Sequence, residues 1–444
     1  MIQKNNFIEL VKAEIPANKL LIRMDKARNH YFKRETLQFD GYIPLVLESS
    51  TPEEDLVGHI LYVRDYNCRH EWEADADFAY KYYPALDTIE FGLPHLIKDP
   101  HFFEKLRKVI NSAPQEFESL LFEASIATMY KIHGFDYGFV KETTTPTPDL
   151  EVSNSSITAG VECKRLQAGG MPFHRQRNFL NAIFESNKTS LIVGSKIILV
   201  TLNLKIQPEQ INKSIFISDL TTSIKNCLPI VTPHYEIESL EINKIAMNMH
   251  FEENRVRVDS AQILKLIDLN YDSRIMTWHN IHYEQIYKEP SIDSVFNRTA
   301  DGISSATVIK YRFSEPEHVK VMARHLKRVI VKALKQFRGN ELGIVHTGNY
   351  VIEGDSVEQA REIKNRRELS GFKPGREISF QMHSFRSVIH HRGYEFEETR
   401  EVISNSKRLS NLLPDDALAH HTNNIVRVTS VPFWNDPMPN NLGD

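Results

Sequence analysis

The stretch TPTPDLEVSNSSITAGVECKRL, residues 145–166, decides how this 444-residue chain is read. Side chains of a strand alternate between the two faces of its sheet. Ile157, Ala159, Val161 and Cys163 then share one face, which is apolar, while Thr158, Gly160, Glu162, Lys164 and Leu166 share the other. Glu162 and Lys164 are thereby neighbours, about 6–7 Å apart along the strand. Cys163 turns into the core as a small hydrophobe rather than a nucleophile. Upstream, Leu150 and Val152 take one face, Asp149 and Glu151 the other. Pro148 has no ladder donor and suits the first residue of a strand, and it holds Thr147 extended. Ser153-Asn154-Ser155-Ser156 is turn chemistry. Folding there brings Asp149 beside Glu162 and Lys164.

Two carboxylates and an ammonium on one strand face are what a hard divalent cation and a water nucleophile require. Mg²⁺ takes oxygen ligands, commonly one or two carboxylates with waters and substrate phosphate. It can polarise a phosphoryl oxygen and acidify a bound water, and a lysine can orient that water or stabilise charge on phosphorus. Glu123 belongs in the same argument. It is the sole charge in the helical run from Ser119 to Tyr130, which is apolar on nearly every face. A buried carboxylate costs several kcal/mol unless paired or bound to metal. The plainer alternative is a surface hairpin on which Glu162 and Lys164 form an ordinary salt bridge, and it leaves Glu123 unexplained.

The order of a helix bearing Glu123, a strand, Pro148-Asp149, a turn and Glu162-Cys163-Lys164 resembles the PD-(D/E)xK nuclease superfamily, the restriction-endonuclease-like fold. The resemblance covers residues 99–205. It implies a mixed β-sheet flanked by helices, with Asp149, Glu162, Lys164 and Glu123 as site residues. It also implies Mg²⁺, replaceable by Mn²⁺, held by Asp149, Glu162 and the Cys163 carbonyl. Family members mostly hydrolyse phosphodiester bonds, so the expected activity is that of a DNA endonuclease. Restriction or phage defence is an analogy from a small nuclease core with large accessory regions. Two alternatives stand beside it: a catalytically degenerate module that binds nucleic acid or regulates, and a ribonuclease, since no short motif here separates DNA from RNA. Elsewhere, Glu362-Ile363-Lys364 lies in an apparent helix, where residues two apart do not share a face. Pro414-Asp415 has no Glu-x-Lys after it.

Composition is ordinary for a globular protein, 41% hydrophobic and 25% charged, with a net charge of −4. That balance disfavours coating nucleic acid through overall charge but allows a local basic groove. The three cysteines, Cys68, Cys163 and Cys227, form no CxxC, so a reducing, cytoplasmic setting fits. The opening MIQKNNFIELVKAEI is not the pattern of a secretory signal, and no apolar run approaches the ~20 residues of a membrane span. P-loop, HExxH and dinucleotide-binding glycine patterns are missing from the sequence. A homo-oligomer or partner protein stays open.

The fold class expected is α/β with an α+β mixed sheet, a restriction-endonuclease-like core carrying additional α+β domains. Residues 1–98 read as an N-terminal α+β domain with strands at 43–47 and 59–63. Residues 99–205 form the nuclease core, opening on a helix capped by Asp99 with Pro100 first. Its second helix runs from Pro114 and stops at Gly134. A helix at 174–187 and a buried strand at 196–202 complete it. Residues 206–316 read as an insertion or middle domain, and 317–444 as an α/β region able to extend the nuclease sheet through the strand beginning at Leu342. Helical spacing of Val319, Met322, Leu326, Ile330 and Phe337 leaves Arg324, Lys327, Arg328, Lys332, Lys335 and Arg338 on a basic face. That face is either a solvated surface or a phosphate contact, extended by Lys364, Arg366, Arg367, Lys373 and Arg376. Gln176 is a minor candidate near the scissile phosphate. Glu116 and Glu118 read as solvated charges, and the His390-His391 and His420-His421 pairs as surface histidines.

Overall fold

The computed structural model describes residues 6–36, 50, 52, 54–66, 76–141, 143–166, 171–253, 256–258, 261–269, 276–288, 298–313, 326–338, 342–351, 355–370, 376–390, 393–421 and 425–429. The chain begins with four helices, α1 (Asn6–Ala13), α2 (Ala17–Thr36), α3 (Leu56–Tyr66) and α4 (Ala76–Leu96). The strand expected at 59–63 is part of α3. Its run LVGHILYV is buried all round, His59 included. A short apolar run without periodicity cannot separate a strand from a buried helix. The expected strand at 43–47, the Cys68-Arg69-His70 cluster and the tail at 435–444 lie outside the described residues.

Helix α5 (Pro100–Val109) starts as its sequence demands. Asp99 accepts the His101 and Phe102 amides at 2.8 and 3.2 Å, with Pro100 at the first position. The second Asp99 oxygen accepts Phe139 N–H at 2.8 Å, which bolts the start of α5 to the first strand. Helix α6 (Pro114–Ile132) is buried on every side from Leu120 to Tyr130, the pattern of a core helix. Gly134, at φ +82°, turns the chain out of it. Phe7, Leu61, Leu86 and Leu93 from the first four helices share one hydrophobic cluster with Phe102, Leu120, Ile126, Val161 and Cys163.

Three strands follow: β1 (Asp136–Phe139), β2 (Leu150–Ser153) and β3 (Thr158–Arg165), antiparallel in sequence order. After α7 (Met171–Ser186) the chain leaves this sheet. It builds β4 (Ile197–Leu204), α8 (Lys213–Asn226), β5 (Ile230–Val231), β6 (Tyr235–Ile242), α9 (Lys244–Glu253), β7 (Val256–Arg257), α10 (Ala261–Ile267), β8 (Met276–Tyr283), β9 (Ile286–Lys288), β10 (Arg298–Ala300) and β11 (Ile303–Phe313). These strands give a five-stranded sheet, β5-β6-β4-β11-β8, and a small sheet, β7-β10-β9. The buried strand β4, read from sequence with the first sheet, is the centre of the second. Helix α7 goes with it, through Leu180, Ile183 and Phe184.

Helix α11 (Leu326–Leu334) and β12 (Gly343–Tyr350) bring the chain back. Strand β12 pairs parallel with β3, Gly343 opposite Gly160 and Thr347 opposite Lys164. Helix α12 (Asp355–Ser370), β13 (Ile378–His390), β14 (Gly393–Ser404), α13 (Lys407–Ser410) and β15 (Ile425–Thr429) finish a seven-stranded sheet, β1-β2-β3-β12-β13-β14-β15. The protein is therefore mixed α/β, with thirteen α-helices among the described residues and both parallel and antiparallel pairing. No described helix is long and apolar enough to cross a membrane.

The returning strands bury a polar chain. Tyr130 Oη lies 3.0 Å from His346 Nε2, His346 Nδ1 lies 2.9 Å from His383 Nε2, and His383 Nδ1 lies 2.8 Å from Glu398 Oε1. Glu398 also accepts the Ala419 and His420 amides and His420 Nδ1–H. An ionised Glu398 can only accept, which fixes each tautomer: His383 donates to it, His346 donates to His383, and Tyr130 donates to His346. Burial alone would raise the Glu398 carboxyl, but the bonds from His383 and His420 hold it down near 2. Burial lowers both His346 and His383. His420, expected on the surface, is buried here, because a carboxylate on the neighbouring strand needs its donors. His390 and His391 give no side-chain description.

Two outcomes follow from this packing. Gly92 of α4 faces Thr128 of α6, and a Cβ there would stand 2.1 Å from Thr128 Oγ1. Gly92→Ala should thus destabilise by about 1–3 kcal/mol in chemical denaturation, although alanine is the better helix former. The second concerns acid. The unfolded chain takes protons at His346 and His383 near pH 6.5 and the folded chain resists, so stability falls as pH drops below that value. The slope should approach about 1.4 kcal/mol per pH unit for each histidine, read from urea titrations between pH 7.5 and 5.5.

Candidate active site

The β2–β3 hairpin holds the register its turn requires. Asn154 Oδ1 accepts the Ser156 and Ile157 amides at 2.9 and 3.0 Å, and Leu150 stands opposite Val161. One residue earlier, Asp149 is level with Glu162. The β2 ladder has ended there, and Asp149 Oδ2 accepts the Cys163 amide at 2.8 Å. Cys163 itself packs into the first cluster, and burial pushes its thiol up. Glu162 and Lys164 share the opposite face, in contact with each other. Glu162 is only 1% exposed, which removes the reading of an ordinary surface salt bridge. Burial pushes its carboxyl up to about 8, with the Asp149 charge adding and the Lys164 ammonium subtracting. Its Oε2 atom is buried without a hydrogen-bond partner among the described residues.

Glu123 comes from α6 and is 4% exposed. Its partner is a residue the sequence motif does not contain, Lys105 of α5. Lys105 Nζ lies 2.5 Å from Glu123 Oε2 and 3.3 Å from Asp149 Oδ1. Burial raises the Glu123 carboxyl, Asp149 adds to the rise, and Lys105 opposes it. Burial works against the Lys105 ammonium, but the Glu123 and Asp149 carboxylates together outweigh it. A signal for the lysine existed in the sequence: Phe102, Leu106 and Val109 are the buried stripe of α5, and Lys105 stands at i+3 from the first and i−4 from the last.

Asp149 is therefore the hinge of the cluster, touching Lys105 on one side and the backbone of the Glu162–Lys164 strand on the other. Three carboxylates and two ammoniums meet there. Among the described residues no group of three or more His, Cys, Asp or Glu side chains is placed to hold a metal ion. The donors are oxygens, as a hard cation prefers, and the partnerless Glu162 Oε2 is an acceptor with spare capacity. In donor type, though not as a three-side-chain group, these residues suit Mg²⁺.

The weaker candidates differ in exposure. Glu151 is exposed, and Gln176 is buried in α7. Glu118, expected in solvent, instead accepts the Tyr82 hydroxyl at 2.5 Å. Two cations of α12 are already paired with carboxylates: Arg361 with Glu358, and the exposed Arg366 with Glu362 at 2.9 Å and Glu401 at 2.8 Å. Lys373, Arg324 and the Lys327 side chain lie outside the described residues. Helix α11 lays Leu326, Ile330 and Ala333 against Val345 of the sheet and leaves Arg328, Lys332 and Lys335 exposed. Arg338 donates to Thr145 Oγ1 at 2.7 Å and to the Pro146 carbonyl, tying that region to the loop before Asp149. Comparisons with protein-family models, curated proteins and solved structures find no match for this chain.

Removing one partner of a buried ion pair strands the other. Lys105→Met should destabilise the metal-free protein by about 3–5 kcal/mol. The double variant Lys105→Met/Glu123→Gln should recover a large part of that loss. Equilibrium unfolding of both in chelator measures the difference.

Proposed function

We propose that this chain is a metal-dependent nuclease with a restriction-endonuclease-like core, acting in the cytoplasm on nucleic acid, DNA first, within restriction or phage defence. One observation carries the reading: Asp149, Glu162 and Lys164 gather at the end of the β2–β3 hairpin, with a buried Glu162 oxygen that has no hydrogen-bond partner among the described residues. Glu123 joins them from a core helix.

Asp149 and Glu162, with the Cys163 carbonyl, would hold Mg²⁺ or Mn²⁺. When bound, such an ion supplies Lewis acidity toward a phosphoryl oxygen and lowers the pKa of a ligated water. Lys164 reaches the same face from the next outward position of β3. Its ammonium orients a water for in-line attack and offsets charge developing on the phosphoryl oxygens. Asp149 is held in place by the Cys163 amide. The exposed Arg328, Lys332 and Lys335 offer contacts to a phosphate backbone without base readout.

A second reading is a degenerate nuclease fold that binds without cutting. It is favoured by the two lysines, which already stand against the carboxylates. The test is a cleavage panel of plasmid, linear duplex, single-stranded DNA and RNA with Mg²⁺ or Mn²⁺. Wild type should cut at least one substrate, EDTA should stop it, Lys164→Ala should lower the rate about 10²–10⁴-fold, and Asp149→Ala should remove metal-dependent cutting. Binding that persists unchanged in both variants, with no cleavage by wild type, would establish the second reading instead.

A further inference from the structure

Lys105 has no place in the sequence pattern, yet its ammonium stands between two of the carboxylates. Its ammonium spans two of them from different elements, Glu123 on the core helix and Asp149 at the head of β2. Two-metal sites that cut phosphodiesters use a second divalent ion to bridge carboxylates in this way. A lysine between the same groups supplies one positive charge at the place such an ion would take.

The position is built rather than incidental. Asp99 caps α5 with one oxygen and holds the Phe139 amide of β1 with the other. Strand β1 pairs with β2, and the Asp149 carbonyl accepts the Val140 amide at 3.0 Å. Lys105 and Asp149 are thus carried on elements fastened to one another. The Lys105 side chain is 19% exposed and that of Glu123 5%, so solvent does little to compete for the contact.

We infer that Lys105 is the resident second cation of this site, a positioning residue that limits it to one divalent ion, held on the Glu162 side. The inference rests on the metal-dependent reading above. It predicts that emptying the Lys105 position opens a second ion site between Glu123 and Asp149.

The experiment counts Mn²⁺ on the full chain by equilibrium dialysis. Wild type should hold one ion per chain and Lys105→Ala two, the second lost again in Lys105→Ala/Glu123→Gln. Lys105→Arg, which keeps the charge, should hold one. If Lys105→Ala fails to fold in chelator, refolding with Mn²⁺ present should rescue it with two ions bound, and failure of that rescue overturns the inference. Two ions on wild type, or one on a folded Lys105→Ala, overturns the inference while leaving the nuclease reading intact. No ion on wild type overturns both. A merely structural lysine would change stability and leave every count at one.

Discussion

Asp149, Glu123 and Glu162 are carboxylates that water would solvate far better than a protein can, and the β2–β3 hairpin and helix α6 bring them together. Each neighbour is a response to that repulsion. Lys105 and Lys164 supply opposite charge, and the Cys163 amide supplies a dipole. The hairpin turn at Asn154 matters because it sets the register that keeps Asp149 level with Glu162. A slip of one residue would turn every side chain of the strand over. The balance leaves Glu162 Oε2 without a hydrogen-bond partner among the described residues, and an unmet acceptor in a buried site costs stability.

The polar chain from Tyr130 to Glu398 solves a comparable problem by different means. There every group finds a partner, and one ionised carboxylate dictates the direction of each hydrogen bond. Satisfied networks of this kind specify one packing out of many hydrophobically equivalent ones. This one ties α6, β12, β13 and β14 into a single arrangement, and α6 also carries Glu123. The rigidity of the site helix is thus shared with the far half of the sheet.

Much of the cluster could be read in the sequence because its residues obey short-range rules. Alternation placed Glu162 and Lys164 together and turned Cys163 away; Asp99 with Pro100, and Gly134, marked helix ends. Lys105 escaped because it joins through space, on a helix whose amphipathic pattern is common. The long strands β13 and β14 escaped for another reason. His383, Arg386, Glu397, Glu398 and Arg400 are buried in them, so the apolar alternation that announces a strand is broken by residues that pair with one another. The run at 59–63 misled because a helix buried on all sides has no polar face to reveal its period. Placement of β4 in a second sheet depends on pairing with β11, more than a hundred residues later, and no local pattern encodes that.

The pairing of β3 with β12 joins Gly160 to Gly343, with the whole second sheet threaded between them. A ribosome delivers the strand that carries Glu162 and Lys164 long before the strand that covers its inner edge. Until β12 emerges, that edge is a row of open donors and acceptors beside a cluster of unbalanced charge, a state prone to wrong partners. The parallel pairing of β4 with β11, complete in sequence before β12 emerges, shortens the remaining gap once formed and lessens the entropy of the final closure. The order of synthesis therefore keeps the charged hairpin incomplete until nearly the last strands are made, so a truncated chain would carry all four motif residues on an unfinished sheet.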